Sequence, residues 1–187
     1  MRNEKIYIGI LFLLSLIYFW NLLSGRYMMY GSDYLLESYV MHTWISKEMH
    51  KGILPYWCPY IFGGIPVGPH LSFLRLIYFL FPVHVAWNYL FMLAMFFAGF
   101  GIFLLLRYMK ISPEVSFLSA VAYMSSGCVL SMTYPGHDGK IYAAAFLPFL
   151  FLFLYRAIEK VNLWDFLIFG GLYGLSTFHA HFQIIYF

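Results

Sequence analysis

Charge is scarce in this sequence. Lys, Arg, Asp and Glu together make up 10% of the 187 residues, and their balance is only +3. A soluble domain carries roughly 25% charged residues. So few charges cannot cover the apolar surface of a chain that is 63% hydrophobic. An ordinary soluble domain and a disordered chain are excluded. A nucleic-acid module is excluded as well, because no basic stripe is present to meet a phosphate backbone. Cysteine is almost absent: Cys58 and Cys128 are too few for a disulfide scaffold or a cysteine zinc site. One bond between them or two free buried thiols remain, and the free thiols are the expected state. Neither G-x-x-x-x-G-K-[ST] nor G-x-G-x-x-G occurs, so no nucleotide cofactor is expected. A serine nucleophile elbow, an internal repeat and a low-complexity tract are also lacking.

Apolar length is abundant. Aromatic residues reach 23%, which suits rings anchored at membrane interfaces. A span needs about 20 apolar residues. Ile6–Leu23 supplies 18, Val85–Leu106 supplies 22 without a charge, and Val115–Tyr134 supplies 20. Ile141–Tyr155 supplies 15 and contains Pro148, so this fourth span is expected to be short or kinked, with Lys140 and Arg156 snorkelling at its ends. A fifth is expected over 163–178, followed by a break at His179 and His181. Leu76–Val83 is too short to cross and reads as an interfacial segment ended by Pro82. The fold class expected is therefore all-α, a polytopic transmembrane helical bundle forming a single domain over 1–187. Its long first loop covers 24–84.

The charged start Met1-Arg2-Asn3-Glu4-Lys5 looks like that of a signal peptide. The run behind it is long and bulky, and no small-x-small cleavage site follows, so an uncleaved first span is expected. The chain stops inside an apolar stretch, which suggests the N-terminal part of a longer protein.

Six of the eleven basic residues flank the spans on one side: Arg2, Lys5, Arg107, Lys110, Arg156 and Lys160. The positive-inside rule places those flanks, with the N-terminus, in the cytoplasm. The 24–84 loop, the 134–140 loop and the His179 break then share the outer face. Asp33, Glu37, Arg75, His137, Asp138, Lys140, His179 and His181 all fall there. A site on this protein is expected to face outward, at a cell membrane.

Residues 34–51 contain neither Pro nor Gly and suit a helix capped by Ser32 or Asp33. Asp33 is thus a helix cap, or a general base at the membrane surface, where low dielectric raises a carboxylate pKa. Glu37, four residues on, can share its face. The Pro-, Gly- and aromatic-rich run Lys51–Pro66 reads as a fixed irregular loop, neither helix nor regular strand. It is either an interfacial aromatic plug or a wall for a lipid or sugar, with Trp57 and Tyr60 as the stacking rings.

The loop Pro55-Tyr56-Trp57-Cys58-Pro59-Tyr60-Ile61-Phe62-Gly63-Gly64-Ile65-Pro66, standing after a first span and an early Asp, resembles the P-x-W-N-P-Y-x-F-G-G-x-P loop of the YfhO-type family of bacterial membrane proteins. These in turn resemble glycosyltransferases of the GT-C fold. Phe97–Gly101 through Arg107, Ile111-Ser112-Pro113, Ala122–Gly127, Gly136-His137, Ala145–Pro148 and His179–Gln183 are similar to later parts of the same family. Cys58 stands where the family usually has Asn, Gly136–Lys140 is more charged than the common pattern, and Ala180-His181-Phe182 enlarges the last motif.

The resemblance implies that Asp33 is the catalytic carboxylate, taking a proton from an acceptor hydroxyl. It implies a polyprenyl-phosphate sugar as donor, an envelope polymer or lipid as acceptor, and membrane lipid as surroundings. Arg75, His137 and Lys140 are then the cations for the lipid-phosphate leaving group, or else snorkelling charges. Glu37, Trp57, Tyr60, Asp138 and His179 complete the substrate-binding candidates. A divalent cation is the one cofactor left open: His137, Asp138, His179 and His181 either ligate it or are hydrogen-bonding residues. A transporter or flippase of a lipid-linked solute is the second reading, though ionisable residues at mid-membrane, its usual mark, are nearly missing. A non-catalytic envelope scaffold is the third.

Overall fold

The structure is a computed structural model that describes residues 2–61, 63–67, 73–181 and 183–184; for Arg2, Asn3, Phe73, Leu74 and Arg75 it describes the backbone alone. It is mainly helical. Helix α1 (Arg2–Tyr18) and the short α2 (Trp20–Leu23) open the chain. A π-helical turn (Tyr34–Ser38) runs into α3 (Tyr39–His50). Two two-residue strands, β1 (Trp57–Cys58) and β2 (Ile65–Pro66), pair antiparallel with Trp57 opposite Pro66. Then come α4 (Phe73–Leu80), α5 (Val83–Tyr108), α6 (Pro113–Met124), α7 (Gly127–Thr133), α8 (Asp138–Lys160) and α9 (Leu163–His179).

Among the described residues, two helices, α5 and α8, are long and apolar enough to cross a membrane. The pair α6 and α7, bent by 41°, makes a third if it counts as one span. Three expectations change here. The run 6–23 is broken at Phe19 and divides between α1 and α2. The third run bends at Ser125–Ser126, because the Ser126 hydroxyl caps a new helix by accepting from the Val129 N–H at 3.3 Å. The fourth, expected to be short, is a continuous helix of 23 residues, whose charged terminal turns extend the apolar stretch. Pro148 stays inside α8 although it removes one backbone hydrogen bond. It is packed tightly on α5, where a side chain at Gly101 would come within 2.8 Å of Pro148 Cβ.

Helix α5 is the axis of the fold, in contact with α1, α6 and α8. Gly99 faces the Met124 side chain of α6 as Gly101 faces α8, and such small residues let helices approach closely. The buried core gathers Trp87, Phe91, Met95 and Phe103 of α5 with Leu11, Tyr34, Met124 and Ile141. A smaller apolar cluster of Ile45, Cys58 and Val67 lies beneath the aromatic loop. Cys58 is buried as expected; Cys128 is exposed, since α7 turns its neighbour Val129 inward instead, and both thiols are free.

The polar contacts gather at two ends of the bundle. At one end Arg107 pairs with Glu4 at 2.8 Å, the Tyr108 hydroxyl donates to Glu159, and Arg156 pairs with Asp165 at 2.9 Å. At the other, Asn88 donates to the Leu22 and Tyr27 carbonyls, both at 2.9 Å, and His84 meets the Gly25 carbonyl.

The same far end is closed by contact between two loops. The Tyr34 N–H donates to the Pro135 carbonyl at 3.0 Å, and a Cβ on Gly31 would sit 2.1 Å from the Tyr134 carbonyl oxygen. Backbone on both sides cannot yield. Gly31→Ala is therefore expected to destabilise the chain by about 2 kcal/mol, in the range of overpacking substitutions. Thermal unfolding of the detergent-solubilised protein measures it, with the open Gly9→Ala as control.

Candidate functional site

The contact between these loops brings chemistry with it. Of the two readings of Asp33, helix cap or general base, the first does not hold: its side chain makes no cap hydrogen bond. Of the N–H groups that open this helix, that of Tyr34 is already met by the Pro135 carbonyl and that of Leu35 by the Gly31 carbonyl. The Asp33 carboxylate instead accepts from the Ser32 hydroxyl at 3.1 Å and pairs with His137 Nδ1 at 3.1 Å. Gly136, at φ +84°, makes the turn that presents His137; a Cβ there would meet Tyr34 Cβ at 2.5 Å.

A second carboxylate–imidazole pair stands beside the first. Asp138, the first residue of α8, accepts from the Gly139 N–H at 2.7 Å and holds its other oxygen 3.8 Å from His42 Nε2. His42 is buried in the first turn of α3. Its ring stacks on Tyr78 at 4.5 Å and lies against Trp87 at 5.5 Å. The Tyr34 ring meets Trp87 from another direction, at 4.7 Å. Burial pushes the phenol of Tyr78 well above its ordinary value, helped by Tyr142, with which it shares a hydrogen bond, and by the Asp138 charge. Burial raises Tyr34 likewise.

Polar atoms within this cluster lack partners. Tyr34 Oη, His42 Nδ1 and Trp87 Nε1 are buried with no hydrogen bond among the described residues. A buried hydroxyl without a partner carries its desolvation cost uncompensated. Tyr34→Phe is accordingly expected to stabilise the protein by about 1 kcal/mol. A loss of stability in the same unfolding assay would show that a bound molecule holds the hydroxyl.

The break after α9 reaches the same place. The His181 N–H donates to the Gly139 carbonyl at 2.8 Å, so the segment 179–181 docks between Asp138 and Lys140. Lys140 sits in the first turn of α8, half-buried, and Glu37 is exposed in the π-helical turn. Among the described residues, no group of three or more His, Cys, Asp or Glu is placed to hold a metal ion.

Of the residues singled out from sequence, the structure therefore gathers Asp33, His137 and Asp138, with Lys140 and the His179 break alongside. Trp57 and Tyr60 stand exposed at the edge of the smaller cluster: the Trp57 ring lies against Gly64, and Tyr60 meets the edge of Trp44 at 6.2 Å. The aromatic loop is also less irregular than expected. The strand pairing closes it because Gly63 and Gly64 take φ of +74° and +119°, open to glycine. Phe62 of that motif and the side chain of Arg75 lie outside the described residues. His42, Tyr34, Tyr78 and Trp87 were not singled out; a lone histidine in an otherwise apolar helix was the available signal for the first.

Below the polar cluster an apolar groove of about 370 Å³ opens between α5, α8 and α9. Leu90, Leu93 and Phe97 line one side, and Tyr142, Phe146 and Phe149 the other. Tyr142 lies one helical turn along α8 from Asp138. Comparison with family models, curated proteins and solved structures yields no match.

Proposed function

We propose that this chain is a multi-pass membrane protein of the YfhO type, with a GT-C-like fold and the 24–84 loop outside the cell. Its function is to transfer a sugar from a polyprenyl-phosphate donor to an envelope acceptor. The observation that carries this reading is the junction at Tyr142. Tyr142 lines the apolar groove, and one helical turn before it on α8 stands Asp138, a member of the group of two carboxylates and two imidazoles that Lys140 follows in the chain. A lipid-linked donor needs that combination: a dry slot for its chain and cations for its phosphate.

In the reaction the acceptor O–H attacks the anomeric carbon and a new C–O bond forms there. The bond from that carbon to the phosphate oxygen breaks, and the polyprenyl phosphate leaves with the electron pair. Asp33 receives the acceptor proton. His137 holds the Asp33 carboxylate in place, while Lys140 and the imidazoles face the developing phosphate charge.

Membranes containing the full-length protein, supplied with labelled polyprenyl-phosphate sugars, test the proposal. Transfer above protein-free membranes is the expected result. Absence of transfer from every donor, with lipid-linked sugar crossing vesicle membranes in the same preparation, would replace the enzyme by the flippase.

A further inference from the structure

The opposite end of the bundle carries a second groove that glycosyl transfer does not use. It measures about 410 Å³ and follows the seam between α5 and α8. Leu104 of α5 and Phe149, Leu152 and Phe153 of α8 form its apolar floor. Arg107, Arg156 and the Glu4 carboxylate that Arg107 neutralises stand at its charged end. The spacing is that of two helix faces: 104 and 107 on one, 149, 152, 153 and 156 on the other.

The two guanidiniums are held but not exhausted. Arg107 turns Nε and one terminal nitrogen to Glu4 and another to the Ile111 carbonyl. Arg156 gives one terminal nitrogen to Asp165 and lies over the rings of Phe153 and Tyr108, at 5.2 and 5.7 Å. Its Nε is buried and has no acceptor among the described residues. That Nε is shut off from the surface, so a ligand meets the terminal nitrogens, and a phosphate oxygen is the acceptor that guanidinium geometry suits. Lys160, stacked over Tyr108 at 5.4 Å, adds positive charge at the same end.

We propose that this groove is a binding site for an anionic phospholipid, with the phosphate headgroup on Arg156 and Arg107 and an acyl chain on the Leu104–Phe153 floor. Ion pairs on the protein fix the arginines in place beforehand, so the lipid meets an ordered site. The apolar floor, at the depth of the α5 and α8 hydrocarbon segments, is what separates this site from one for free phosphate.

Native mass spectrometry of the full chain in detergent tests it, with phosphatidylglycerol, phosphatidylcholine and inorganic phosphate as separate probes. Phosphatidylglycerol is expected to be retained about five-fold over phosphatidylcholine, the preference one basic residue confers near a membrane surface. Leu104→Trp, which fills the floor without touching either ion pair, is expected to remove that preference, and so is Arg156→Gln. Equal retention of the two lipids by the wild type overturns the proposal. Inorganic phosphate binding as well as phosphatidylglycerol overturns it too, in favour of a free-anion site. A folded Leu104→Trp that keeps the preference places the lipid elsewhere. If Arg156→Gln fails to fold, Leu104→Trp and the wild-type comparison decide.

Discussion

Asp33→Asn is expected to lower sugar transfer by about 100-fold or more while leaving the helical content and elution of the protein unchanged. The size follows from the role: a positioned general base contributes roughly 10²–10⁴-fold. Asparagine keeps the shape and can still meet the Ser32 hydroxyl and the His137 ring, but it cannot take a proton from an acceptor hydroxyl. The fold should tolerate it, because Asp33 is partly exposed and supplies no helix cap. His137→Gln separates the two partners. It removes the ring that orients Asp33 and leaves the carboxylate, so its loss of transfer should be smaller than that of Asp33→Asn. Unchanged transfer in Asp33→Asn would move the base to Asp138, whose own imidazole partner, His42, is already in place. Equal losses in both variants, with donor binding also lost, would mean that the cluster binds the phosphate and performs no proton transfer.

The apolar runs 85–106 and 141–155 were legible because a charge-free stretch in so apolar a chain has few alternatives to a helix. Their true ends were not. Asp138 and Lys160 look like loop residues in sequence, yet both belong to the terminal turns of α8. Pro148 reads as the mark of a short or kinked span, and only its packing against Gly101 shows why it is tolerated. The break after His179 could be read from His179, His181 and the end of apolar periodicity, and α9 does end at His179. The site was half legible for a similar reason. Asp33, His137 and Asp138 stand out as charges in an uncharged chain. His42 does not, since its partner is far away in sequence and its rings of contact, Tyr78 and Trp87, look like ordinary core. Trp57 and Tyr60 were drawn to the site by their type alone. The Gly63–Gly64 turn and the Ile45–Cys58–Val67 cluster hold their loop together, and neither residue is brought to Asp33.

Arg156→Ala is expected to cost about 3–5 kcal/mol of stability, as does removing one partner of a buried ion pair. Asp165 is 1% exposed and takes its charge partner from the last turns of α8. Its remaining contact, Asn162 Nδ2 at 3.1 Å, is a neutral donor from its own helix start and cannot balance a carboxylate away from water. The alanine also removes the guanidinium from the Phe153 and Tyr108 rings, which adds lost packing to lost charge. Unfolding of the detergent-solubilised chain measures the effect, and two further variants identify its source. Asp165→Asn in the Arg156→Ala background removes the stranded charge and should recover much of the loss. The pair Arg156→Leu with Asp165→Leu should lie closer to the wild type than Arg156→Ala does, since apolar replacement of a whole buried pair is often neutral. If Arg156→Ala alone costs under about 1 kcal/mol, as an exposed pair would, then water reaches Asp165 and the α8–α9 junction is open.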